Sequence, residues 1–348
     1  MSDLFPLAVI GFAASLGLTP LTRQLARRFG IVDKPSARKV HQVPTPLMGG
    51  LAIYGAFMIA LLLFHTWTPD NRDTQALRQL IAILGGATWL VIVGFVDDRR
   101  MLSPQMKFAG ELIATAAVIL SGIRVQLFNS PWLDIPLTVF WMVGIINAIN
   151  FLDNMDGLAA GISAIAALCF FVLAAIEGQV LVATLAAAMF GSSLGFLFYN
   201  FSPATTFMGD MGALVLGFLL AVLGIKLSFP NQSPLVSWTI PILALGLPIF
   251  DTTLVVFTRL REKRSPMQGG KDHTSHRLVI MGLSYRAAVV TLYMACILLG
   301  LAALIVSQAS VSIAAIVGGG VALVGLGAFI ILESVRIRQY RNERVQKQ

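Results

Sequence analysis

Residues 132–177 read WLDIPLTVFWMVGIINAIN, FLDNMDG and LAAGISAIAALCFFVLAAIE, so that two apolar runs, 132–150 and 158–177, flank a short polar segment. Each run approaches the ~20 apolar residues that a membrane-spanning helix needs. The segment between them is too short to form a domain of its own. The pattern therefore predicts two helices that cross a membrane and are joined by a tight polar turn.

The rest of the chain repeats this pattern. Of its 348 residues, 57% are hydrophobic and 12% are charged, and the mean hydropathy is +0.81, whereas soluble chains are about 45–50% apolar and about 25% charged. These values exclude a disordered chain, a fibrous protein and an ordinary cytosolic enzyme. The sequence predicts an all-α, polytopic integral membrane protein with about 11 transmembrane helices. The apolar stretches are 5–22, 47–67, 79–96, 106–123, 132–150, 158–177, 179–198, 211–228, 235–257, 287–307 and 311–332.

The basic residues predict the orientation of the chain. Of the 25 Lys and Arg residues, 21 lie in alternate inter-span segments and in the C-terminal tail, while Arg72, Arg78, Arg124 and Lys226 fall on the opposite side. Because cytoplasmic loops carry an excess of Lys and Arg, we expect the N-terminus outside and the C-terminus in the cytoplasm. The net charge of +8 then reflects anchoring in a lipid bilayer, and no nucleic-acid partner is expected.

This topology predicts a single membrane domain over residues 1–335 and a basic cytoplasmic tail over 336–348. Acidic residues collect in its inner-face loops, several of them at the ends of spans, where an ionisable group is a functional candidate. The inner-face loops are 23–46, 97–106, 150–157, 199–210 and 258–286.

Two carboxylate motifs stand at span ends. Asp97 and Asp98 are adjacent, and neighbouring carboxylates repel unless a positive charge lies between them. They suit a divalent cation such as Mg²⁺, which is usually held by one or two carboxylates plus substrate phosphates. Asn150, Asp153 and Asp156 stand three apart, so they share one face if the helix continues. The alternative is a turn closed by Asp156 and the following glycine.

Two further segments suit phosphate groups. Asp210 lies between glycines where a span begins, a position typical of a helix N-cap and of a phosphate that approaches a helix N-terminus. In the longest inner loop, His273, His276 and Arg277 lie in a basic segment that favours a diphosphate over a transition metal.

The first inner loop contains Arg38, Lys39 and His41 between prolines and a pair of glycines. These cations are suited to a phosphate at the membrane surface. They are equally suited to fixing the topology of the chain, and both interpretations stay open.

Together the motifs resemble those of the polyprenyl-phosphate N-acetylhexosamine-1-phosphate transferases, which form glycosyltransferase family 4. In order they are Asp-x-Pro-x-x-Arg-Lys-x-His, Pro-x-Pro-x-x-Gly-Gly, Gly-Phe-x-Asp-Asp, Asn-x-x-Asp-x-x-Asp-Gly, Phe-Met-Gly-Asp-x-Gly and a histidine-containing loop. The resemblance extends from about residue 18 to about residue 286. It implies a bacterial inner-membrane enzyme, active at the cytoplasmic face, that transfers a sugar 1-phosphate from a UDP-sugar to undecaprenyl phosphate and releases UMP.

The resemblance also implies roles for individual residues. It makes Asp97, Asp98, Asp153 and Asp156 catalytic, and Asp210, Asp156 and Asp153 ligands of Mg²⁺, with Mn²⁺ as an alternative. Phe207 matches a position that stacks on uracil. The implied substrate-binding residues are Arg38, Lys39, His41, Lys107, Asn150, Asn200, Phe207, His273, His276 and Arg277.

Alternatives of two kinds remain at this point. Within the family, the histidine loop and Gln42 depart from the branch that transfers phospho-MurNAc-pentapeptide, and both favour the GlcNAc branch of cell-envelope polysaccharide synthesis. Outside the family, a secondary transporter would also carry intramembrane acids such as Glu111 and Asp251, but Glu111 is one turn from Lys107 and is expected to pair with it. A homodimer is a further expectation.

Overall fold

The computed structural model describes residues 4–33, 44–65 and 74–345, which form thirteen helices and two short strands. These elements group into two compact units, Met1–Phe229 and Pro230–Gln348. The single domain expected over 1–335 stays a prediction.

The described residues of the first unit form eight helices and a two-stranded antiparallel ladder. Its strands pair Val32 with Pro46 and Asp33 with Thr45. The helices are α1 (Phe5–Arg28), α2 (Gly49–His65), α3 (Thr74–Arg100), α4 (Pro104–Leu120), α5 (Pro131–Leu152), α6 (Leu158–Ile176), α7 (Val180–Asn200) and α8 (Gly209–Lys226), and the strands are β1 (Val32–Asp33) and β2 (Thr45–Pro46).

Helix α8 is the core of the first unit, since 83% of its apolar window is buried by the surrounding helices. Small residues let the neighbouring backbones approach closely, as is common between membrane helices. A Cβ atom placed on Gly217 would lie 2.7 Å from the Cα of Ile146 in α5, and one on Gly50 would lie 2.1 Å from the backbone nitrogen of Gly212. The site described below is formed around the N-terminal end of this central helix.

The second unit contains α9 (Pro234–Ala244), α10 (Gly246–Arg261), α11 (Thr274–Ile280), α12 (Tyr285–Gln308) and α13 (Val311–Val345). Helices α9 and α10 are bent by 77° at Leu245. Pro248 explains the break, because proline has no N–H with which to continue a helical hydrogen bond to Ala244. The single span expected over 235–257 is therefore corrected to a broken pair of helices.

The predicted all-α, polytopic membrane class is confirmed. Among the described residues, eight helices are long and apolar enough to cross a membrane, and the α9–α10 pair makes a ninth. In each of the eleven apolar stretches, most of the described residues fall on a helix or on that broken pair. Helices α2 and α4 have 17 residues each, about 25 Å at 1.5 Å per residue, so the count of eleven spans stays a prediction.

Candidate active site

The turn between α3 and α4 is fixed by the first predicted carboxylate. Asp97 accepts a hydrogen bond from the backbone N–H of Leu102 at 2.7 Å, and Ser103 caps α4 by accepting one from Met106 at 3.3 Å. Because the turn has only three residues between the helices, the first turn of α4 stays close to the end of α3. Lys107 lies in that first turn.

Lys107 joins two carboxylates that come from different helices. Its Nζ lies 2.7 Å from Oδ2 of Asp97 in α3 and 2.9 Å from Oδ1 of Asp210 in α8. The three side chains are only 10–28% exposed, so these ion pairs are less screened by solvent than surface pairs. The arrangement brings together three residues that the sequence predicted as functional.

Glu111 was expected to pair with Lys107, but its side chain makes a hydrogen bond with a residue of another helix. Its Oε2 accepts one from Nδ2 of Asn147 in α5 at 2.6 Å. Lys107 is instead turned toward Asp97 and Asp210, because those two carboxylates are held within reach of its ammonium group. Glu111 and Asn147 thereby connect α4 to α5 just below the site.

The start of α8 is held by a carboxylate from α3. Oδ1 of Asp98 accepts the N–H of Asp210 at 2.9 Å, and Oδ2 accepts that of Met211 at 3.4 Å. The N-cap residue of α8 is Met208, which offers no side-chain hydrogen bond. The expectation that Asp210 is the N-cap is therefore wrong: Asp210 lies inside the first turn, and its own carboxylate is free to accept from Lys107 and from the amide of Asn150.

Asn150, Asp153 and Asp156 do not share one helical face, because α5 ends at Leu152. Asp153 follows as the C-cap, and Asp156 lies in the turn before α6, which Gly157 closes with a φ of 78°. The turn that the sequence offered as the alternative is the one formed. Oδ2 of Asp156 accepts the N–H of Ala204 at 2.9 Å, which ties this turn to the segment before α8.

Asn200 makes a second connection between the same two segments. Its Oδ1 accepts the N–H of Gly157 at 3.1 Å, and its Nδ2 donates to the carbonyl of Thr206 at 3.0 Å. The side chain is 2% exposed. In this geometry Asn200 acts on the site by shaping the loop that carries Phe207, whose ring is half-buried.

The first inner loop is anchored beside the same segment. The carbonyl of Pro46 in β2 accepts the N–H of Phe207 at 2.8 Å and the hydroxyl of Thr206 at 3.1 Å. The N–H of Gly49 donates in turn to the carbonyl of Phe207 at 2.9 Å. The predicted phosphate-binding residues of this loop, Arg38, Lys39 and His41, lie outside the described residues.

The electrostatics of the turn after α5 are unusual. Asp153 accepts no hydrogen bond from any described residue. Burial, together with the negative charges of Asp210 and Asp156, raises the pKa of Asp153 to about 7. A carboxylate with these neighbours is stabilised by a cation.

The second unit holds the predicted histidines in a cluster of its own. Nδ1 of His273 lies 2.8 Å from Oδ2 of Asp251, whose Oδ1 accepts the N–H of Thr274 at 2.6 Å. Burial and the nearby charges of His273 and Lys271 lower the pKa of His276 to about 4, so this imidazole is neutral at pH 7. Asp251 fixes the orientation of the His273 ring.

Arg277 is fully buried and its guanidinium is occupied by other groups of the second unit. It donates to the carbonyls of Asp272 and Leu332, to Glu333 and to the hydroxyl of Thr258. These bonds tie α11 to α10 and α13.

The same network fixes the loop before α11. Burial tends to raise the pKa of Asp272, but hydrogen bonds from Arg264 and Arg259 hold it below its usual range. Ion pairs to Asp272 therefore hold the loop before α11 in place.

Comparison with known proteins decides the family. The model of glycosyl transferase family 4 matches residues 80–228. A Bacillus subtilis (strain 168) protein, described as a probable undecaprenyl-phosphate N-acetylglucosaminyl 1-phosphate transferase, is 36% identical over 312 residues, which cover 87% of this chain and 85% of that protein. The chain belongs to glycosyl transferase family 4.

Other relatives of the chain carry two kinds of name. A decaprenyl-phosphate N-acetylglucosaminephosphotransferase of Mycolicibacterium smegmatis is 34% identical over 83% of this chain and 79% of its own length. A phospho-N-acetylmuramoyl-pentapeptide-transferase of Staphylococcus carnosus is 31% identical over 65% of this chain and 77% of its own length. Of these relatives, the two named for N-acetylglucosamine transfer align with a larger share of this chain than the one named for phospho-N-acetylmuramoyl-pentapeptide transfer.

The family 4 match lies inside the first unit and includes the carboxylate–lysine group around α8. The oxygen donors of Asp210, Asp153 and Asp156 suit Mg²⁺. Among the described residues, no group of three or more His, Cys, Asp and Glu side chains is arranged to hold a metal ion by itself. Since Mg²⁺ usually takes one or two carboxylates and completes its shell with substrate phosphates and water, this open donor set fits an ion that binds together with the nucleotide.

Sequence reasoning missed connecting residues within each of the two units. Asn147, Asp251 and Asp272 make buried or half-buried side-chain bonds that were not assigned. Asp251 had one available signal, since it is an acid within an apolar stretch. Its partner lies 22 residues further along the chain, and a single sequence does not show which polar groups meet.

Proposed function

We propose that this chain transfers N-acetylglucosamine 1-phosphate from UDP-N-acetylglucosamine to a polyprenyl phosphate of the undecaprenyl type, with release of UMP. The observation that carries the proposal is Lys107 between Asp97 and Asp210, at the ends of three apolar helices. In a glycosyl transferase family 4 chain, such a group suits two phosphate substrates, one of which has its tail in the bilayer. The lipid-linked sugar would begin the synthesis of a cell-envelope polysaccharide.

The reaction is a transfer between two phosphates. An oxygen of the polyprenyl phosphate attacks the sugar-linked phosphorus of the UDP-sugar, and the bond from that phosphorus to the oxygen of UMP breaks. Because the nucleophile and the leaving group are both phosphates, catalysis consists mainly of positioning and charge stabilisation. Lys107 would donate to phosphate oxygens, and Asp97 would hold Lys107 and orient the lipid phosphate.

Asp210, Asp153 and Asp156 would hold Mg²⁺ or Mn²⁺. When bound, the ion supplies positive charge to the diphosphate oxygens of the nucleotide. Asn150 supports this arrangement through its hydrogen bond to Asp210.

The remaining predicted residues would bind the substrates. Phe207 would stack on uracil, and Asn200 would keep the Phe207 loop in place. Arg38, Lys39 and His41 would bind the lipid phosphate. His273 and His276 would contact the diphosphate, while the buried bonds of Arg277 favour a supporting role in which it fixes α11.

The chain would span the bacterial inner membrane eleven times, with the N-terminus outside and the active site on the cytoplasmic face. The distribution of 21 of the 25 Lys and Arg residues supports this orientation. A cytoplasmic site is also where a UDP-sugar is available.

The experiment is an assay of purified protein with undecaprenyl phosphate, Mg²⁺ and a panel of UDP-sugars. We expect UMP release and transfer of labelled sugar into extracted lipid with UDP-N-acetylglucosamine. The variant Asp210→Asn serves as the inactive control. Turnover of the MurNAc-pentapeptide nucleotide alone would instead assign the chain to that branch, and sugar uptake into vesicles without lipid product would indicate a transporter.

A further inference from the structure

Asp97 and Asp98 are adjacent in the sequence but have different partners. Successive residues on a helix point about 100° apart, so the two side chains face different parts of the protein. Asp97 faces Lys107 and the turn before α4. Asp98 faces the first turn of α8.

Asp98 supplies a helix cap that α8 does not have in its own sequence. The first N–H groups of a helix have no partner within the helix, and Met208 contributes no side-chain acceptor. The carboxyl group of Asp98 accepts from two of these groups. The N–H it binds at 2.9 Å is that of Asp210.

Gly209 shows how closely the carboxylate is seated. Its φ is 65°, and a Cβ atom at this position would lie 2.4 Å from Oδ2 of Asp98 and 2.7 Å from the carbonyl oxygen of Leu47. The residue before Asp210 must therefore be glycine for Asp98 to reach the helix. This explains the Gly-Asp pair by the packing of α3 against α8.

We propose that Asp98 is a positioning residue that acts through Asp210, and that Asp97 is the member of the pair that faces the reacting phosphates. Asp98 holds the backbone of Asp210, so that the Asp210 carboxylate is presented to Lys107 and Asn150. The inference rests on the proposed function, because Asp210 is there a ligand of the divalent cation. It replaces the catalytic role that the sequence suggested for Asp98.

The test compares Asp98→Asn with Asp98→Ala in the full-length protein. Asparagine keeps an acceptor of the same shape and is a good helix cap, whereas alanine has no acceptor. Mn²⁺ affinity is measured by electron paramagnetic resonance, and exchange of the 207–214 backbone amides is measured by hydrogen–deuterium exchange mass spectrometry. Turnover of UDP-N-acetylglucosamine is measured on the same samples.

We expect Asp98→Ala to weaken Mn²⁺ binding about fivefold and to speed amide exchange at the start of α8. Asp98→Asn should restore both properties to within about twofold and recover most of the turnover that alanine loses. If both variants keep wild-type Mn²⁺ affinity and amide protection while kcat falls equally by about 10²–10⁴-fold, Asp98 is an acid–base group and the proposal is overturned.

Asp134→Ala is the matched control. This buried carboxylate also caps backbone N–H groups, those of Leu127, Phe128 and Ser130, at the other end of α5. Its loss should lower thermal stability without changing Mn²⁺ affinity, which separates positioning of Asp210 from general destabilisation. If the wild type fails to turn over UDP-N-acetylglucosamine, the proposed function fails, while the exchange comparison still decides the role of Asp98.

Discussion

Lys107 and Asp153 show how much of the site depends on charge compensation. Removing water from a charged group is costly unless an opposite charge or hydrogen bonds replace it. Lys107 has two carboxylate partners, whereas Asp153 has carboxylates as its near charges and no described donor. The sequence identified both residues, but it could not show that one is compensated within the protein and the other is not.

Replacing Lys107 with methionine keeps the length of the side chain and removes its charge. We expect kcat to fall at least about 10²-fold, because a preorganised charged donor near a transferring phosphoryl group contributes on this order. We also expect Mn²⁺ to bind more tightly, since the ammonium no longer competes for Oδ1 of Asp210. Turnover assays and electron paramagnetic resonance check the two effects, and weaker Mn²⁺ binding would contradict the second.

The raised pKa of Asp153 predicts how cation binding depends on pH. Below pH 7 its carboxyl is mostly protonated, so a cation must displace the proton. Mn²⁺ affinity should therefore rise by up to about tenfold per pH unit below 7 and level off above it. The stability of the metal-free protein should change in the opposite direction, falling as pH rises from about 4 to about 7.

The matched variant for this pH prediction is Asp153→Asn, which has no proton to displace. Titration of Mn²⁺ between pH 5.5 and 8.5 should show a shallower pH dependence for the variant than for the wild type. Equal slopes for the two proteins would mean that another group determines the pH dependence.

At the scale of helices, the apolar stretches of the sequence predicted which segments form helices better than they predicted breaks within those segments. Every apolar stretch is helical over most of its described residues, because each contains enough apolar residues to be buried in lipid or in protein. The stretch 132–150 ends within two residues of the end of α5, whereas the stretch 235–257 contains a break that hydropathy did not show. Pro248 signalled that break in the sequence, but hydropathy outweighs a single proline in a long apolar window.

Two glycines on α3 allow the effect of close helix packing on stability to be separated from the effect of helix propensity. A Cβ atom on Gly94 would lie 2.4 Å from the backbone nitrogen of Met211, whereas one on Gly85 would meet nothing within 4 Å. Gly94→Ala should therefore separate α3 from α8 and destabilise the protein by about 1–3 kcal/mol. Gly85→Ala on the same helix should be neutral or stabilising by up to ~1 kcal/mol. Thermal unfolding in one detergent compares the two variants, and equal effects would contradict the close contact.

At the scale of the whole chain, the sequence and the helix lengths give different numbers of spans. The apolar stretches predict eleven spans, which the positive charges orient, while the length and composition of the helices identify eight or nine spans among the described residues. Helix α4 is decisive, because its 17 residues make it about 25 Å long, less than the ~30 Å hydrocarbon core. If α4 spans the membrane, its two ends must open to opposite aqueous phases.

Two exposed glutamines lie near the two ends of α4, so the same Gln→Cys substitution can be made at each end. Gln105 lies in its first turn and Gln126 lies beyond its last residue, and both are exposed. The native cysteines, Cys169 and Cys296, are buried, so an introduced cysteine should dominate labelling by a membrane-impermeant maleimide. Because the Asp97 turn is expected at the cytoplasmic face, Gln126→Cys should react in intact spheroplasts and Gln105→Cys only after permeabilisation. Unmodified protein is the background control, and reaction of Gln105→Cys in intact spheroplasts would refute either the orientation or the span.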